Sequence, residues 1–111
     1  QYNISSASFY AIGAVKRANI GYYKNKKYHQ NEIRDNLEVI SCIGNVALNK
    51  KNEEKIIHAH IVLGDSEGKS YGGHILPGCI VSPTFEITLY ELENQLYREY
   101  DNRTELTLLK M

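Results

Sequence analysis

Apolar and polar residues alternate with a period of two along much of this chain, the pattern of half-buried strands. In Leu37 to Ile43, LEVISCI, the period puts Leu37, Val39, Ser41 and Ile43 on one face and Glu38, Ile40 and Cys42 on the other. Ala7 to Val15 reads as a strand, with apolar bulk from Phe9, Ile12 and Val15 and a bend allowed at Gly13. Ala18 to Tyr23 reads as a second strand, Lys24 to Lys27 as a polar turn and Tyr28 to Ile33 as the return. Gly44-Asn45 marks a bulge or bend before Val46 to Leu48, and Asn49 to Lys55 is a charged loop. Pro77-Gly78 and Ser82-Pro83 read as breakers around Cys79 to Val81. Thr84 to Leu92 is a further strand, with Phe85, Ile87 and Leu89 on one face and Glu86, Thr88 and Tyr90 on the other. The end of the chain has two readings. One is a short helix over Glu91 to Tyr100; the other is a hairpin of Gln95 to Tyr100 and Glu105 to Leu109 around Asp101-Asn102-Arg103-Thr104.

The chemistry gathers in one stretch. Ile56 to Leu92 holds three of the four histidines, five of the eight glycines and both prolines, so reactive side chains and backbone irregularity coincide there. His58 and His60 lie two apart in a β-branched run, and their imidazoles share a face. If Asp65 to Lys69 form a five-residue loop, Gly64 pairs with Ser70 and His60 lies opposite His74. A slip of one residue sends His74 to the other face. In the first register His58, His60 and His74 converge. Three imidazoles suit zinc, at about 2.0–2.1 Å per nitrogen, and leave one tetrahedral position open. The competing reading is a set of hydrogen-bonded structural histidines.

Charge limits the partners. Thirteen basic residues balance thirteen acidic ones, which argues against wholesale attraction to nucleic acid or to acidic membranes. Lys16-Arg17, Lys24-Lys26-Lys27 and Lys50-Lys51 read first as solvated loops and second as phosphate contacts. Tyr22, Tyr23 and Tyr28 beside them read first as strand residues and second as base-stacking platforms. Two separate cysteines, Cys42 and Cys79, suggest a reducing, cytoplasmic compartment, and Cys79 is a candidate fourth metal ligand. No apolar run has the length of a membrane span, and no signal peptide is visible. The 111 residues, 1–111, are expected to form a single domain.

HAHIVLGDSEGKSYGGHILPGCIVSPTFEITLYEL resembles the core of the PPC (plants and prokaryotes conserved) domain, also called DUF296, in its stand-alone prokaryotic type. The resemblance is carried by His58, His60, Gly64, Asp65, Gly68, Gly72, Gly73, His74, Gly78, Thr84 and Glu86. The segments SASFYAIGAVKRANIGYY and LEVISCIGNVAL fit it as well. It implies an α+β fold, mostly antiparallel sheet with little helix in this chain. The strand and helix that family members carry ahead of Ile4-Ser5-Ser6-Ala7 are not in this sequence, so the domain is expected to be N-terminally incomplete. The resemblance also implies a homotrimer, and it favours the C-terminal hairpin over the helix. Plant members bind A·T-rich DNA through AT-hooks; this chain has no Arg-Gly-Arg-Pro hook.

The leading functional expectation is an oligomeric domain with one zinc per chain on His58, His60 and His74 and a DNA-binding or regulatory role. A small-molecule ligand at the metal is compatible with it. The alternative is a small zinc enzyme that uses a histidine-bound water. Glu86 would then be a base or would orient an imidazole. A third reading keeps the metal for stability alone.

Overall fold

In the computed structural model, which describes residues 2–110, eight strands follow in chain order. They are β1 (Ala7–Lys24), β2 (Lys27–Ile33), β3 (Leu37–Asn49), β4 (Lys55–Gly64), β5 (Ser70–Ile75), β6 (Ile80–Glu91), β7 (Tyr97–Asp101) and β8 (Leu106–Leu109). The α+β expectation is met on its β side: among the described residues there is no helix, and hence none long and apolar enough to cross a membrane. All pairings are antiparallel except β3 with β7.

The long β1 organises the sheet. Its first half pairs with β3, β3 pairs with β4, β4 with β5, and β5 returns to the second half of β1 through Ile20–Ile75 and Gly21–His74. Four strands thus close a ring. Its buried contents include Ala11, Val15, Leu37, Val39, Cys42, Ile61 and Leu63. β2 and β6 flank β1, and the β7–β8 hairpin hangs on β3.

Several sequence expectations shift for physical reasons. The two strands expected from Ala7 to Tyr23 are one. Lys16 points to solvent and Arg17 pairs with Glu32 of β2 at 3.3 Å, so neither interrupts the ladder. In β3 the pairs Val39–Leu63 and Ser41–Val62 leave Ile40 as an extra residue. That bulge reverses the alternation. Cys42 turns into the core at 1% exposure, and Ile43 turns out at 64%. Ile12 has the opposite parity to Phe9 and Val15 and faces outward. β6 runs straight through Ser82-Pro83, because Ser82, Pro83 and Thr84 stand opposite the single residue Ala14. The missing N–H of Pro83 therefore falls in a bulge, where no ladder bond is lost. The C-terminal segment is the hairpin and not the helix.

Phe9, Val46, Ile57, Phe85, Ile87 and Leu89 line an apolar groove of about 270 Å³ on the sheet. Ile57 and Ile87 are well exposed along it, so this face has no cover among the described residues.

Gly73 marks a close approach of β5 to β1 beside His74. A Cβ there would lie 2.8 Å from the Gly21 carbonyl oxygen of β1. Gly73→Ala must push β5 off β1 and is expected to cost about 1–3 kcal/mol, the usual range for overpacking. Urea unfolding of the two proteins measures it, and an unchanged midpoint would show that this seam is not tightly closed.

Candidate metal centre

The turn between β4 and β5 sets the site. The Asp65 carboxylate accepts the backbone N–H groups of Glu67 and Lys69, both at 2.9 Å, and the Tyr71 hydroxyl at 3.1 Å. The Asp65 N–H donates to the Lys69 carbonyl at 3.0 Å, and the Gly68 N–H to the Asp65 carbonyl at 3.0 Å. Gly68 takes a φ of +81°, which its lack of a Cβ allows. These bonds close the loop at Asp65 to Lys69. The register is therefore Gly64–Ser70 and His60–His74, as expected from the sequence.

The three imidazoles converge. Ring centroids are 5.0 Å apart for His58–His60, 4.9 Å for His58–His74 and 5.7 Å for His60–His74. One nitrogen from each lies within 4.8 Å of the others. Tyr28 of β2 stacks on His74 with centroids 4.4 Å apart, which fixes that ring from the far side. His60 is exposed, while His58 and His74 are half-buried.

Burial pushes the His58 imidazolium down to about 4, helped by the nearby Arg98 guanidinium and then by His74 and His60. Burial also lowers His74, with His60 and Arg98 adding to the effect. Both rings are therefore neutral at neutral pH, the form that can ligate a metal. His74 Nδ1 is buried with no hydrogen-bond partner. An orphaned ring nitrogen on an imidazole grouped with two others is what a metal would satisfy, so these residues fit such an ion.

The other candidates lie elsewhere. Glu86 pairs with Ile12 across β6 and β1, is exposed, and shares a separate hollow with Glu38 and Ile40. Cys79 Sγ accepts the Asn19 N–H at 3.3 Å and stands outside the histidine group. His29, with Nε2 3.3 Å from the Lys24 carbonyl oxygen, is also outside it.

Sequence reasoning missed Arg98 of β7. It is 6% exposed. Its guanidinium donates to Asn45 Oδ1 at 2.9 Å, His58 Nδ1 at 3.2 Å and the Thr107 carbonyl at 3.2 Å. A lone arginine between polar neighbours in Tyr97-Arg98-Glu99 reads as a surface residue. Only the docking of β7 on β3 buries it.

The profile of the Plants and Prokaryotes Conserved (PCC) domain matches residues 1–93. The chain belongs to this family. β7 and β8 of this PCC domain lie beyond the matched residues. The chain is similar to a metal-containing protein of Archaeoglobus fulgidus, at 33% identity and a TM-score of 0.85, over 97% of this chain and 76% of that one. It is also similar to a protein of Ralstonia eutropha JMP134 described as a candidate DNA-binding protein. That match has 30% identity and a TM-score of 0.85, over 97% of this chain and 74% of that one. Among curated proteins, a bifunctional protein GlmU of Synechococcus sp. (strain JA-3-3Ab) is 39% identical over 49 residues, or 43% of this chain. The PCC chain spans only 8% of that protein's length.

The turn that sets the register carries a pH dependence. The backbone N–H of Lys69 holds the Asp65 carboxyl below its ordinary value of 3.8, with Glu67 and Tyr71 contributing. A depressed carboxyl gives stability that is complete above the unfolded value and lost as the pH falls through the folded one. Metal-free wild type should therefore exceed Asp65→Asn in urea midpoint at pH 7. The gap should narrow below about pH 4, where the unfolded carboxyl is protonated. A gap that stays constant down to pH 2.5 would contradict this role of the carboxylate.

Proposed function

We propose that this PCC domain holds one zinc ion per chain on His58, His60 and His74 and works as a homotrimeric regulatory domain associated with DNA. The observation that carries the metal reading is the convergence of three imidazoles, one of them with an orphaned buried nitrogen. Tetrahedral zinc with bonds of about 2.0–2.1 Å places its nitrogens about 3.3–3.4 Å apart. The present limit of 4.8 Å closes to that by inward rotation of half-exposed rings. The all-imidazole donor set suits zinc among the common divalent ions. The metal-containing relative at 33% identity supports the same reading. A bound zinc would supply Lewis acidity at its open position.

Ligand capture is favoured over turnover. Among the described residues no carboxylate joins the histidine group, and Glu86 sits in a different hollow, so the enzyme reading lacks its base. The exposed apolar residues Ile57, Ile87 and Leu89 are surface that an oligomer would bury, which supports the trimer. The association with DNA rests on the Ralstonia relative and on the lysines of the β1–β2 and β3–β4 turns, set against zero net charge. The free thiols of Cys42 and Cys79 agree with a reducing compartment such as the cytoplasm.

Metal analysis of untagged protein tests the central point. Wild type should carry about one zinc per chain, and His58→Ala and His74→Ala should each lose most of it, since two imidazoles hold zinc far less well than three. A folded wild type that takes up no zinc from a buffered supply would sink the reading. Light scattering at three chain masses would support the trimer, and a single chain mass would remove it.

A further inference from the structure

Arg98 is the only buried charged side chain among the described residues, and it forms no ion pair with any described carboxylate. A buried cation without a counter-ion is costly to a fold. Its three neutral acceptors do not exhaust it: Nε is buried and has no partner. A purely structural strut between β3 and β8 would need only the bonds to Asn45 and Thr107.

The bond to His58 is the informative one. Arginine can only donate, so His58 Nδ1 accepts and the ring proton sits on Nε2. That hydrogen bond has to give way when a metal binds at either nitrogen. A metal on Nδ1 takes the lone pair that Arg98 uses. A metal on Nε2 sends the proton to Nδ1, where it meets the Arg98 N–H head-on. In every arrangement, loading the site breaks this hydrogen bond. The guanidinium is then left with a freed N–H and an orphaned Nε beside a newly arrived dication.

Tyr28, His58, His74, Arg98 and Thr107 line a hollow of about 210 Å³. Ile56, Ile57, Leu106 and Leu108 line it as well. His60 lies outside it: all three histidines line an adjoining hollow of about 390 Å³ that Arg98 does not line. Tyr28, His58, His74 and Leu106 line both, so the two hollows meet at the imidazoles.

We propose that Arg98 is the anion anchor of the metal centre. With the metal in place, the site takes a small oxyanion, a carboxylate or a phosphate group. One oxygen occupies the open metal position and another is held by the planar guanidinium fork. This rests on the metal reading above. Metal and anion then bind cooperatively, each tightening the other by the same factor.

The test uses the full chain loaded with cobalt(II), whose visible bands report the open coordination position. Acetate and inorganic phosphate are titrated separately, and cobalt content is measured in every sample. Arg98→Lys keeps the charge but loses the fork. Asn45→Asp leaves Arg98 in place and sets a carboxylate 2.9 Å from it. In wild type the bands should shift saturably with at least one probe. Both variants should bind that probe about tenfold or more weakly with cobalt content unchanged, a factor typical of losing one charge-assisted contact. The preferred probe identifies the class of oxyanion. Wild-type affinity in both variants with cobalt retained overturns the anchor and leaves the metal reading intact. A cobalt-loaded wild type that binds neither probe does the same. A wild type that takes up neither cobalt nor zinc removes the metal reading and the anchor with it. Should Arg98→Lys fail to fold, Asn45→Asp carries the comparison. Should both fail, wild-type cobalt affinity with and without the anion decides, and no change overturns the anchor.

Discussion

The constraint on which the site depends is the parity of one hairpin. Side chains alternate across a strand, so the number of residues between Gly64 and Ser70 decides whether His74 joins His58 and His60 or leaves them. Asp65 closes that loop with bonds to Glu67 and Lys69. The ring closes it again from the other side, because β5 is held against β1 at Gly21–His74. Gly73 lets that second contact be close. Two independent pieces of backbone thus place the same imidazole, one through the turn and one through the seam, and Tyr28 stacks on what they deliver.

Much of this was legible because it is local. The Asp-x-x-Gly turn, the two-residue spacing of His58 and His60 and the glycine pair before His74 all act over a dozen residues, and strand parity needs nothing else. The shared face of Phe85, Ile87 and Leu89 was legible for the same reason, whereas the C-terminal hairpin was one of two readings and was favoured by the family resemblance. What escaped depends on a partner strand. Ile40 is extra only relative to Leu63 and Val62, so no pattern within LEVISCI can show that Cys42 turns inward. Pro83 is tolerated only because β6 bulges against Ala14. Arg98 is buried only because its strand docks on β3, some fifty residues earlier in the chain. Glu86 was singled out from its place in a family pattern, and the pairing with Ile12 sets it in another hollow.

The electrostatics of the site are unusual in having a cation and, among the described residues, no acid. Many metal sites use carboxylates as ligands or as partners of ligating histidines, and these offset the charge of the ion. Here three imidazoles surround the site and a guanidinium adjoins it. A divalent ion there would meet a region already positive, with no carboxylate of the described residues in the histidine group to offset it. Desolvation strengthens that repulsion, since a half-buried charge is poorly screened by water.

The two halves of the site are carried by different parts of the molecule. The histidines belong to the closed ring, whose core of Leu37, Val39, Ile61 and Leu63 cannot change without loosening the fold. Arg98 belongs to a hairpin beyond the matched family residues, joined to the ring by the short parallel ladder of Leu48–Tyr97 and Asn49–Arg98. The hairpin is nonetheless part of the shared fold, since the similar structures from Archaeoglobus fulgidus and Ralstonia eutropha cover 97% of this chain. The guanidinium thus depends for its position on a ladder of two residue pairs, while the imidazoles depend on the closed ring.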